Sequence, residues 1–180
     1  VGDVDKALKK FQVVKRNIWQ QISSELSIQF LRAGHIIGAS FVQMSYRKDN
    51  GVGLITFSGD IGNNRSPTLN GPVNVAETDY LVLESTYGNR IQPRTSPADE
   101  LEYAINKVIS RGGVLIIPAF SVGRSQDMLF LIRKLEEDGR IPKVPVFLDS
   151  PMSADATEIF LRHPEDHKLV LNGDIFQAPL

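Results

Sequence analysis

Apolar and polar positions alternate along this chain with two different periods, and the change from one to the other outlines its organisation. In "DVDKALKKFQVV" the residues Val4, Ala7, Leu8, Phe11 and Val14 recur at the spacing of one helical face, with Asp3 or Asp5 placed to cap its start. "LSIQFLRA" and "ASFVQMSY" then alternate with a period of two, and "VGLITFS" returns as a partner after "RKDNG", whose Asn-Gly pair is a hairpin signal. These segments predict an antiparallel meander.

From "DYLVLES" onward the pattern becomes apolar strand, helix, strand, helix, strand: "YLVLES", "SPADELEYAINKVIS", "GVLIIPA", "RSQDMLFLIRKLEE" and "VPVFLDS". The first helix opens on Ser96, Pro97 and two acids, and the second closes at Gly139. Continuous apolar strands joined by crossover helices predict a parallel sheet covered on both faces, so the fold class is α/β. "GNNRSPTLNGP" reads as the seam between a β-rich part, residues 1–78, and an α/β part, residues 79–180. No repeat or low-complexity tract interrupts either.

Composition narrows the function classes. The 180 residues are 42% hydrophobic and 23% charged, as in ordinary globular chains. The absence of cysteine excludes both a disulfide framework and a thiolate zinc site, and suits a cytoplasmic protein. The longest apolar runs, "VLIIPAF" and "YLVL", are too short to span a bilayer, and the N-terminus lacks the basic-then-apolar layout of a signal peptide. Net charge is −1, but nine basic against five acidic residues up to Ala76 leave that part at +4 and the rest at −5. A local basic surface is compatible with this split, whereas a general attraction to nucleic acid is not.

Candidate chemistry gathers where strands end. "AGHIIGAS", "FSGDIG" and "LESTYGNR" each set one ligating or acid-base group, His35, Asp60 or Glu84, beside glycine or serine, which let a ligand approach the backbone. Singly, each has an ordinary structural explanation; the conjunction is less common. "PAFSVGRSQ" is a second candidate, in which Ser121, Gly123 and Arg124 at a strand-to-helix junction would form an anion site from backbone amides and a guanidinium. It lacks both G-x-G-x-x-G and G-K-[ST]. Phe57, Tyr80, Phe120 and Phe147 read as core residues, and Tyr87 in "ESTYG" as a contact for a base.

Together, "AGHIIGAS", "FSGDIGNNRSPTLNGP", "LVLESTYGNR", "GGVLIIPAFSVGRSQDMLFLI" and "PVFLDSPMSADATEIF" resemble the β-CASP branch of the metallo-β-lactamase superfamily, a group of RNA-processing nucleases, over nearly the whole chain. The resemblance implies part of an αββα sandwich over residues 1–78, from the C-terminal part of its first half, followed by an incomplete β-CASP domain over 79–180. It implies hydrolysis of RNA phosphodiester bonds by a water activated between two zinc ions. His35 would ligate one ion and Asp60 bridge both, while Glu84 would act with Asp60 in catalysis and orient a substrate-side histidine. From their own loops, and not from the resemblance, Arg124, Ser121, Gly123 and Tyr87 are expected to meet the substrate.

Two departures limit that inheritance. The family's His-x-His-x-Asp-His cluster is missing before His35, and its later histidines have no counterpart: His163 and His167, in "RHPEDHKL", read as a solvated helix end. The resemblance thus implies a central piece, inactive alone because one histidine and one aspartate cannot fill two zinc sites. A catalytically silent RNA-binding or scaffold module of the same fold is the competing expectation. Hydrolysis of a small ester or lactam is weaker, since simple lactamase-type members lack the "ESTYG" to "DSPMS" stretch. Homo-oligomerisation is left open.

Overall fold

The computed structural model describes residues 2–49, 51–91 and 95–169. The chain divides into two compact units: Val1–Ala33, Ser40–Asp60 and Val73–Glu84 form the first, and Gly34–Ala39, Ile61–Pro72 and Ser85–Leu180 the second. The "GNNRSPTLNGP" loop lies in the second unit, and the chain then returns to the first.

The first unit is built on five strands in the order β1 (Gln20–Gln21), β2 (Leu26–Arg32), β3 (Ser40–Lys48), β4 (Gly51–Phe57) and β5 (Tyr80–Val82). The first four form the expected meander, and β5 joins β4 in parallel, with Ile55 opposite Tyr80. Lys48 faces Gly51 at the β3–β4 hairpin. Gly51 therefore opens β4 instead of forming the turn, and Asn50 lies outside the described residues.

A polar ladder fixes the sheet register from inside. The Gln29 amide donates to Gln43 Oε1 at 2.7 Å, and Gln43 Nε2 donates to Glu77 O at 2.7 Å and Thr56 Oγ1 at 3.3 Å. Gln43 and Thr56 are buried. A one-residue slip would carry each of them to the other face and leave these groups unsatisfied, which makes slippage costly. Asp79 anchors the start of β5 by accepting from Leu54 N at 2.7 Å and Lys48 Nζ at 3.2 Å; these bonds, the backbone one foremost, hold its carboxyl below the ordinary carboxylate value.

The N-terminal helix α1 is shorter than its periodicity suggested. It covers Gly2–Leu8 only and buries no residue, and both Asp3 and Asp5 fall within its first turn. Phe11 and Val14 lie beyond it and are exposed. A helix this short depends on packing of its apolar face, and none is present among the described residues.

The second unit carries α2 (Pro97–Ile109), α3 (Arg124–Glu137) and α4 (Pro151–Leu161). Ser96 caps α2 by accepting from Asp99 N, and Gly139, at φ 68°, follows the end of α3 as expected. Leu101 and Ile105 of α2 pack with Leu131, Ile132 and Leu135 of α3 and with Ile141 to form the core. Arg140 ties this cluster to the first turns of α2 through Asp99 and Glu102. Between α3 and α4 the contacts are polar: Gln126 Nε2 donates to Thr157 Oγ1 at 2.8 Å, and the hydroxyls of Ser125 and Ser153 stand 3.4 Å apart.

Two expected strands do not enter a ladder among the described residues. Residues 113–119 and 144–150 carry no strand assignment. Val144 and Val146 still pack on the helical core, but Phe57, Tyr80, Phe120 and Phe147, read as core from their apolar neighbourhoods, are exposed. A buried parallel strand needs hydrogen-bonded neighbours and a covering layer, and an apolar run cannot reveal whether they are present.

Candidate functional site

The first unit brings Asp60 and Glu84 to one edge of its sheet. Strands β2 and β4 both run opposite to β3, and β5 runs with β4, so all three end on the same side. Beyond Phe57 the ladder continues one step, with Ser58 N donating to Val82 O at 2.9 Å. The buried Ser58 hydroxyl then accepts from Glu84 N at 2.9 Å and donates to Gly59 O at 2.7 Å. One serine therefore couples the turn before Asp60 to the residue at which β5 delivers Glu84. Gly59, at φ 52°, supplies the left-handed step that turns the chain out of β4. Asp60 is exposed and Glu84 half-buried.

His35 belongs to the second unit, in the loop Gly34–Ala39, which follows Ala33 at the end of β2. Within that unit the residue before His35 touches the residue two past Asp60: a Cβ on Gly62 would stand 1.7 Å from Gly34 O. A Cβ on Gly34, which lies at φ 69°, would stand 2.6 Å from Asn70 O. Three backbone segments converge there, and only glycine admits them. Farther along the same loop, Gly38 N donates to Asp166 Oδ2 at 3.0 Å, and Ile36 packs 3.4 Å from where a Cβ of Gly123 would be. The His35 loop thus runs beside the start of α3, where Arg124 sits.

At that start, Gly123 at φ 85° donates its N–H to Gln126 Oε1 at 2.7 Å. The amides of Arg124 and Ser125 go to Val122 O and Phe120 O. These amides are taken up internally, so the anion-binding capacity expected from the helix start rests on the exposed Arg124 side chain. Ser121 Oγ lies 3.4 Å from Ser150 Oγ, the cap of α4, which brings the starts of α3 and α4 together. Tyr87 is exposed, with the Arg90 guanidinium 5.7 Å from its ring centroid.

Sequence patterns passed over two buried groups of this unit. Asp127, in the first turn of α3, accepts from the buried Thr68 hydroxyl at 2.6 Å; burial raises its carboxyl above the ordinary value, against the opposing pull of Thr68, Arg124 and Lys168. His167, expected as part of a solvated helix end, is buried. Its ring stacks on Phe160 with centroids 4.8 Å apart, and its Nδ1 accepts from Leu169 N at 3.3 Å. Burial lowers its basicity, and the proton of the neutral ring belongs on Nε2, which has no acceptor among the described residues. His163, by contrast, is exposed and pairs with Glu165 at 2.9 Å. The signal for Asp127 was a carboxylate within the first turn of a helix; for His167 there was none, because its burial depends on a segment about 100 residues away.

Among the described residues, no group of three or more histidine, aspartate or glutamate side chains could hold a metal ion, and no helix is long and apolar enough to cross a membrane.

Comparison with known proteins places these features in a family context. Residues 125–178 match the Beta-Casp domain model. The chain is 33% identical over 178 residues to the transcription termination factor FttA of Methanosarcina mazei, covering 97% of this chain and 27% of that protein. It is 32% identical over 161 residues to ribonuclease TTHA0252 of Thermus thermophilus, covering 89% of this chain and 36% of the relative. RNase aCSPSF2 of Saccharolobus solfataricus is 33% identical over 167 residues, or 91% of this chain and 32% of that protein. The chain therefore spans about a third of the length of these relatives.

Proposed function

We propose, on the premise that the chain belongs to the β-CASP branch of the metallo-β-lactamase superfamily, that it is part of a zinc-dependent nuclease hydrolysing RNA phosphodiester bonds. The observation that carries this reading is the shared sheet edge, where one buried hydroxyl couples the strand ends that deliver Asp60 and Glu84. Phosphodiester hydrolysis needs an activated water and stabilisation of the charge that grows on the phosphoryl oxygens; paired metal ions supply both. Asp60, with an anionic carboxylate, and His35, with a neutral imidazole nitrogen, would be among the residues that hold such ions. Glu84, held by its own backbone to Ser58, suits an acid-base partner outside the metal shell.

His35 and Asp60 alone do not fill a zinc centre, which takes about four ligands. The reading therefore concerns the whole protein, with further ligands supplied from outside these residues. Arg124 would contact an RNA phosphate, Ser121 and Gly123 would shape the wall beside it, and Tyr87 would stack on a base. The compartment we propose is the cytoplasm, in keeping with a chain that contains no cysteine.

A silent RNA-binding or scaffold module of the same fold is the second reading, since one histidine and one aspartate do not by themselves fill a zinc centre. Variants of the whole protein separate the two. Asp60→Ala should abolish RNA hydrolysis and release metal, whereas Glu84→Gln should retain metal and lower turnover about ten- to hundredfold. Hydrolysis at the parent rate in Asp60→Ala would remove the nuclease assignment; RNA binding without hydrolysis in the parent would establish the module.

A further inference from the structure

The loop that carries His35 is bracketed by two glycines, Gly34 and Gly38. Two of its six residues are glycines in the left-handed region, Gly34 at φ 69° and Gly38 at φ 80°, and an Ala39 N to Ile36 O bond at 3.1 Å closes it internally. Glycine loses more conformational freedom on folding than any other residue, so contacts that hold the two glycines matter to the shape of the loop. The Gly34 end is fixed by backbone contact with Gly62 and Asn70. At Gly38, two residues before β3 begins at Ser40, a Cβ would meet nothing within 4 Å, and the N–H donates to the Asp166 carboxylate, 128 residues away.

Asp166 is in turn held on several sides. It is buried, and its carbonyl accepts from Asn70 N at 2.8 Å. Asn70 Nδ2 reaches the carbonyls of Glu165 at 3.3 Å and His167 at 3.1 Å, Lys168 N donates to Thr68 O at 2.9 Å, and His167 pairs with Leu69 in an antiparallel bridge. The stack of His167 on Phe160 attaches the segment to α4. A buried side chain on a backbone braced in this way offers the Gly38 N–H a fixed acceptor.

We propose that Asp166 is a positioning residue: it fixes the Gly38 end of the loop Gly34–Ala39 and thereby sets the placement of His35 between two anchored glycines. The consequence for turnover rests on the nuclease reading above; the consequence for the loop does not. In the whole protein, Asp166→Ala should speed hydrogen exchange at the Gly38 amide about ten- to hundredfold, the range expected when a buried donor loses its acceptor. It should also lower kcat for RNA cleavage with KM unchanged. Asp166→Asn keeps an oxygen acceptor and should restore most of both, a rescue that a bulk packing role would not show. Where Asp166→Ala does not fold, Asn70→Ala, which removes the bracing bonds to the Glu165 and His167 carbonyls, serves with the same two readouts. Unchanged exchange at Gly38 would overturn the proposal, and faster exchange with unchanged kcat would reduce Asp166 to a loop anchor without a role in turnover. If the unsubstituted protein does not cleave RNA, the nuclease reading fails on its own, and the exchange measurement decides whether Asp166 fixes the loop.

Discussion

Replacing Thr68 with valine keeps the side-chain shape but removes the hydroxyl that donates to Asp127 Oδ1 at 2.6 Å. Thr68 is fully buried and Asp127 is 9% exposed, so water cannot readily replace the lost donor. A hydrogen bond to a buried charged group contributes about 1.5–3 kcal/mol, and Thr68→Val should lose about that much at neutral pH. Asp127→Asn separates the bond from the charge. The Asp127 carboxyl is raised above its ordinary 3.8, chiefly by burial. A group raised in the folded state contributes stability that is complete below its unfolded value and is lost as pH rises through the folded one. The ionised carboxylate therefore costs stability at neutral pH. Asparagine still offers Oδ1 to Thr68 without that cost, so Asp127→Asn should be at least as stable as the parent at neutral pH, and its advantage should vanish as pH falls below 3.8. Urea denaturation followed by far-ultraviolet circular dichroism suits the measurement, because the three longest helices lie in the same unit as this pair. An Asp127→Asn protein clearly less stable than the parent at neutral pH, beside a Thr68→Val protein that loses nothing, would refute the reasoning. Attraction to Arg124 and Lys168, not burial, would then govern this carboxylate.

Arg124→Ala should weaken RNA binding by the whole protein and lower the slope of log affinity against log salt by about 0.7, the loss of one phosphate contact to a single strand; an unchanged slope across a salt titration would exclude such a contact. Gly62→Ala should destabilise the second unit by about 1–3 kcal/mol in the same denaturation assay, because its Cβ would stand 1.7 Å from Gly34 O and the backbone would have to shift; a parent-like transition would contradict that contact.

Local patterns carried much of this fold. Alternation along β2, β3 and β4 gave the meander because one face of an antiparallel sheet packs differently from the other, and that difference is written with a period of two. The caps of α2 and α3 were legible because Ser96 and Gly139 act within one turn of their own positions. His35, Asp60 and Glu84 stand out in the sequence as polar groups beside small residues at strand ends, and the common edge of Asp60 and Glu84 follows from the parallel run of β4 and β5.

Partners far along the chain decided the rest. Val114 and Phe147 read as buried strand residues, but an apolar run records only a tendency to leave water, and the neighbours that would satisfy it have to come from elsewhere. His167 read as solvated and is buried, because Leu69 and Phe160 close over it. Asp127 and Asp166 drew no notice as single acids. Each became significant only when the fold set it against Thr68 or Gly38, since the sequence fixes which groups can donate and accept, and only the tertiary structure fixes which of them meet.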